Sequence, residues 1–326
     1  MLFSTNQIGN LMKIDVHQHL WTEPLVQALA DRSELPFVRH ENGLTVLYLV
    51  GERPYVIDLA SEDPAYRAEL VTSDGLDLAL VCLSSPLGIE WLPRQQAHVL
   101  IDAYHDGALA LDGPFGVWGA IALDRADPDD VDTVLARGCV GLSLPAGALA
   151  SVQAIAKLRP VLERLEARGA PLFVHPGPRL SARVARSLPQ TSFGDPLWWP
   201  ALTDYVACMQ EAWLAFLVAG RPSHPHLRVV FSMLAGLAPL HAERLCARGG
   251  PCPVLPDPLV FYETSSYGPA AVAVIAELVG SQQLLYGSDR PVVEPGELAM
   301  LADLDWDPIR ESTRRALGAG NLELAR

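Results

Sequence analysis

Two histidines two positions apart end the first apolar run of the chain, Ile14-Asp15-Val16-His17-Gln18-His19-Leu20. In an extended strand alternate side chains share a face, so His17 and His19 stand together, about 6–7 Å apart along the strand. Two neutral imidazoles at that spacing can close on one small cation, the ordinary ligation of zinc and its neighbours. A third histidine, His175, ends another apolar run, and Asp289 follows a third one through Gly287-Ser288. Three imidazoles and a carboxylate suit Zn, Mn or Fe and leave a position for water. Taken singly, each of these residues also reads as a loop residue or a turn cap. The chemistry therefore requires an architecture that gathers all four.

The elements supply one. Eight strand-like apolar runs occur at 13–17, 78–83, 116–122, 140–144, 171–175, 227–233, 259–264 and 283–287. Helical patterns separate them at 92–110, 128–136, 151–167, 202–219, 237–248 and 269–278, and a last pair near 295–301 and 308–317 closes the chain. Continuous apolar strands alternating with helices predict a parallel sheet buried on both sides. Eight such units predict a single (β/α)₈ TIM barrel domain over 1–326, in which the C-terminal ends of the strands share one rim. An open doubly wound sheet ranks second, because no Gly-x-Gly-x-x-Gly follows any strand. Two insertions interrupt the pattern. Residues 37–59 read as a small β-hairpin projecting after the first strand, and 177–201 as an apolar loop carrying Pro196, Trp198, Trp199 and Pro200.

The composition narrows the partners. Lys+Arg of 24 against Asp+Glu of 38 gives a formal charge of -14, a field that repels nucleic acid and anionic lipid. No apolar run is long and unbroken enough to span a bilayer, and the first ten residues carry no basic-then-apolar leader pattern. The five cysteines are widely spaced with no Cys-x-x-Cys, which argues against a disulfide framework or a thiolate zinc site. A cytoplasmic protein acting on a small molecule is the expectation.

Several motifs resemble the amidohydrolase superfamily, in the branch of aminocarboxymuconate-semialdehyde decarboxylase and related aromatic-acid decarboxylases and hydrolases. They are Asp15-Val16-His17-Gln18-His19, Pro171-Leu172-Phe173-Val174-His175, the run from Leu227 to Gly236, Leu285-Tyr286-Gly287-Ser288-Asp289-Arg290-Pro291, and Gly320-Asn321. They follow the family's order over nearly the whole chain. The resemblance implies one divalent ion held by His17, His19, His175 and Asp289, with zinc ahead of manganese and iron, and a homodimer. It also exposes two departures. The histidine that the family carries at the end of the sixth strand is Met233 here, and a thioether cannot move protons. The fourth strand, Val140 to Leu144, has no lysine to be carboxylated and to bridge two metals, so one metal is expected.

With that histidine gone, Asp289 is the expected catalytic base. Arg290 could clamp a substrate carboxylate, Glu263 could orient a ligand imidazole, and Trp21, Trp198, Trp199 and Met233 could line the pocket. The leading expectation is a metal-dependent hydrolase cutting a C–O or C–N bond in a lactone, ester or amide of a small cyclic or aromatic acid. Non-oxidative decarboxylation of an aromatic or enoic acid is second. A catalytically weakened barrel that binds metal or ligand is third.

Overall fold

The computed structural model describes residues 12–50, 53–177, 198–253, 255–294 and 305–324. The expected helix at 295–301, the turn at 51–52, most of the insertion at 177–201 and the first eleven residues lie outside them.

Each of the eight apolar runs contributes one parallel strand. They are β1 (Ile14–Gln18), β5 (Leu78–Val81), β6 (Phe115–Val117), β7 (Leu142–Pro145), β8 (Leu172–His175), β9 (Val229–Phe231), β10 (Val260–Glu263) and β11 (Leu284–Leu285). One sheet runs β1-β5-β6 and another β7 to β11 in chain order. Isolated parallel bridges join the two, Gly119 to Leu142 on one side and Gln18 to Arg290 on the other. The strands thus close into a (β/α)₈ barrel.

Strand alternation sorts the core into two layers. Ile14, Val16, Leu80, Phe173, Val230, Phe261 and Leu285 pack together with Trp118 inside the ring, joined by Leu317 and Leu322 of the C-terminal segment. Their neighbours Ala79, Val81, Leu172, Val174, Val229, Phe231 and Tyr262 pack outward against helical residues such as Leu100, Leu162, Trp213 and Ile275. Burial on both faces is why these strands read as unbroken apolar runs.

Between β1 and β5 the insertion forms three strands, where the sequence suggests a hairpin. β2 (Phe37–Glu41), β3 (Leu44–Tyr48) and β4 (Tyr55–Ile57) pair antiparallel in that order. The charges in Phe-Val-Arg-His-Glu hide β2 from a hydropathy reading. Arg39 nevertheless fits, because its guanidinium lies 4.1 Å from the Phe37 ring centre and donates to the carbonyls of Ala30, Arg32 and Val38. A second difference concerns cysteine. Cys246 and Cys252 form a disulfide across a short loop after the helix Ala242–Ala247. That is one local pair, and no framework of bridges accompanies it among the described residues.

Candidate metal centre

The strand β1 does not deliver its histidines by simple alternation. Ile14 and Asp15 pair with Leu78 and Ala79, but Gln18 pairs with Val81, so three steps of β1 face two of β5. The extra residue turns His17 inward directly after the inward Val16, and leaves Asp15 and Gln18 on the other side. Asp15 holds this irregularity. Fully buried, its carboxylate accepts from the His17 N–H (3.0 Å), the Gln18 side-chain amide (2.8 Å) and the Ser288 N–H (3.1 Å). It therefore fixes both the two-histidine segment and the turn that carries Asp289. Gln18 in turn accepts from the buried Arg67 (2.9 Å), which tethers β1 to the helix Pro64–Ser73.

Three imidazoles meet at the rim with ring centres 4.9–5.1 Å apart. Each Nδ1 already faces a protein oxygen: Glu263 Oε2 at 3.1 Å from His17, the Cys82 carbonyl at 2.9 Å from His19, and the Pro176 carbonyl at 2.5 Å from His175. The two carbonyls can only accept, so Nδ1 carries the proton at His19 and His175, and Glu263 does the same for His17. Every Nε2 lone pair is left facing the common centre. His19 and His175 Nε2 atoms are 3.1 Å apart, and Asp289 Oδ1 is 3.3 Å and 3.1 Å from those of His17 and His19. The Nε2 of His17 is wholly buried with no hydrogen-bond partner. Lone pairs held this close repel unless a cation or proton sits among them. The donor set fits a divalent ion.

The electrostatics point the same way. Burial is the largest single influence on His17 and works against its charge, yet Asp289, Cys82 and Glu263 together outweigh it and hold that imidazole well above its ordinary range. At His19 burial is again outweighed, by Cys82 first and then Asp289, to about 10. Burial would raise Asp289, but the His17 and His19 imidazoles bring it below the usual carboxylate value. His17, His19 and Asp289 thus favour a shared positive charge, while burial holds the His175 imidazole below its ordinary range.

Glu263 is the hub of the surrounding shell. It is fully buried and accepts from the Met233 N–H (3.1 Å), the Ser265 hydroxyl (2.8 Å) and the Ser265 N–H, besides facing His17. A Cβ on Gly287 would collide with this carboxylate, which accounts for glycine there. Arg290 is also buried, paired with Asp74 (2.9 Å) and Glu294 (3.2 Å). Trp21 and Arg290 line a cavity of about 170 Å³ together with Tyr55, Glu62, Tyr66 and Arg67. None of His17, His19, His175 and Asp289 lines it, and Arg67, which does, bonds Gln18 on the opposite side of β1 from His17.

Met233, Trp198 and Trp199, also expected in the pocket, do not line this cavity. The Met233 side chain joins the apolar layer that contains Met209 and Trp213. Trp198 and Trp199 are about half exposed and pack on each other at the short helix Trp199–Leu202. Sequence reading passed over Asp15, Cys82, Glu62 and Arg67. Asp15 was legible only as a member of the Asp-x-His-x-His string, and Cys82 reads as one more apolar residue at a strand end.

No protein-family model and no curated protein matches this chain. Solved structures do. A Metarhizium anisopliae IDCase in apo form superposes with TM-score 0.73 at 16% identity, covering 100% of this chain and 99% of the other. This chain shares that protein's fold. An amidohydrolase II matches with TM-score 0.69 at 17% identity over 94% of this chain and 99% of its own. A dihydroxybenzoic acid decarboxylase from Polaromonas sp. JS666, with bound manganese and the inhibitor 2-nitroresorcinol, matches with TM-score 0.65 at 14% identity over 96% and 98%. At these identities the likeness is one of fold.

Proposed function

We propose that the protein is a metal-dependent, non-oxidative decarboxylase of a small aromatic or conjugated carboxylic acid. The observation that carries this reading is the ring of three Nε2 atoms and one Asp289 oxygen, in which Asp289 is the one carboxylate among the described residues facing the Nε2 atoms. Glu263 is fully engaged with His17, Met233 and Ser265, and Met233 offers no proton at the ninth strand. Hydrolysis asks for one group to take a proton from water and for delivery of a proton to the leaving group. Decarboxylation asks only for one proton to reach carbon. The sequence alone ranks hydrolysis first; the lone carboxylate, and a decarboxylase among the solved proteins of this fold, support the reverse order.

His17, His19 and His175, with Asp289, would hold the ion. A divalent ion there supplies a Lewis acid that fixes substrate oxygens and draws electron density from them. Asp289 rests as a carboxylate, takes the acidic proton that the substrate brings and hands it to the ring carbon bearing the carboxyl group. The C–C bond to the carboxyl then breaks, carbon dioxide leaves and the bonding pair restores the conjugated system. Trp21, Tyr55 and Tyr66 wall the cavity beside the Arg67–Glu62 and Arg290–Asp74–Glu294 pairs, whose arginines are already engaged by carboxylates.

A panel of aromatic acids, lactones and amides, turned over in ¹⁸O-water and read by mass spectrometry, tests the reading. Carbon dioxide with unlabelled organic product is expected, with turnover falling at least about 100-fold in D289N. Solvent oxygen in the organic product would establish hydrolysis instead.

A further inference from the structure

Cys82 follows β5 and points into the barrel interior, where it packs with Val16, Trp118 and Phe173. It is 2% exposed and not in a disulfide. Its Sγ lies 3.6 Å from His19 Nδ1. One ring nitrogen of each of His17, His19 and His175 and this sulfur all lie within 4.8 Å of one another. Zinc–sulfur and zinc–nitrogen bonds of about 2.3 and 2.0–2.1 Å separate two donors on one ion by at most about 4.4 Å. The sulfur thus lies within about 0.4 Å of that limit from one ring nitrogen of each imidazole, and its close contact at His19 is with Nδ1, the nitrogen that also faces the Cys82 carbonyl. The orphaned Nε2 of His17 independently marks the same point as awaiting a ligand.

We propose that Cys82 is a metal donor, placed on the interior side of the three imidazoles, and that it biases the centre toward zinc or cobalt over manganese. The proposal rests on the metal reading given above. A nitrogen- and carboxylate-only site already follows the general order in which zinc outranks manganese. A thiolate widens the gap, because a soft, polarisable donor strengthens bonding to zinc and cobalt far more than to the harder manganese ion. Cys82 also differs from the usual interior filler in chemistry. A valine there would supply the same bulk with no donor atom.

The test uses the full chain, stripped of metal and reloaded with Co²⁺. Cobalt bound through a thiolate shows an intense sulfur-to-metal charge-transfer band in the near ultraviolet, separate from the weak visible bands that report occupancy. The expected result is the band in the parent protein, its loss in C82S and C82A with the visible bands retained, and a zinc-over-manganese preference about tenfold or more lower in both variants. Visible bands without the charge-transfer band in the parent would overturn the proposal while leaving the metal site intact. Absence of any bound cobalt by equilibrium dialysis would overturn the metal reading and this proposal together. The parent spectrum decides the matter even where a variant fails to fold.

Discussion

Glu90 sits 1% exposed beyond β5, with one carboxyl oxygen accepting from Ser85 (3.2 Å) and the other buried without a partner. Burial moves its pKa from the ordinary 4.5 to about 8. The folded state therefore binds this proton more tightly than the unfolded chain does. Below pH 4.5 both states are protonated and the residue exacts no penalty. As pH rises from 4.5 to 8 the unfolded chain ionises first, and folding loses stability, up to about 5 kcal/mol. E90Q keeps the shape without the titration. Urea unfolding is expected to show the variant and parent close at pH 5 and the variant more stable by several kcal/mol at pH 8.5. A gap that does not grow with pH would contradict the account. At this scale His17, His19, His175 and Asp289 were legible because they end apolar strands, where polar residues stand out. Asp15, Cys82 and Glu90 were not, because their importance comes from partners distant in sequence or from burial alone.

The segment after β9 is the element that the sequence describes least well. Met233, Leu234, Ala235, Gly236 and Leu237 all have φ between 43° and 63°, a left-handed turn set between the strand expected at 227–233 and the helix expected at 237–248. Non-glycine residues in that conformation cost roughly 1–2 kcal/mol each. Packing compensates: Met233, Leu234 and Ala235 are buried, and Gln210 of the helix Asp204–Ala215 donates to the Gly236 carbonyl at 2.8 Å. A Cβ at Gly236 would lie 2.9 Å from the Val206 carbonyl oxygen, so that helix and turn could no longer approach. G236A is expected to lose about 1–3 kcal/mol in thermal or urea unfolding. A loss under about 0.5 kcal/mol would show that the contact is not constraining. The turn also aims the Met233 N–H at Glu263, so that this backbone supports the carboxylate that faces His17. Register shifts such as the one in β1 are invisible to hydropathy, since they depend on the neighbouring strand.

For the whole molecule, the alternation of buried strands with helices made the barrel readable, because doubly buried strands must be apolar throughout. The count of eight units also pointed to closure, but the pairs that achieve it, such as Gln18 with Arg290, leave no local mark in the sequence. No helix among the described residues is long and apolar enough to cross a membrane. What the barrel achieves is convergence: β1, β8 and the turn after β11 bring four donors to one point on one rim. The central claim is that this point holds a single divalent ion. Elemental analysis of the protein purified without chelator, beside the H17A/H19A variant, tests it most directly. The account predicts about one transition-metal ion per chain in the parent and near none in the variant. Two ions per chain in the parent, or equal content in both proteins, would contradict it.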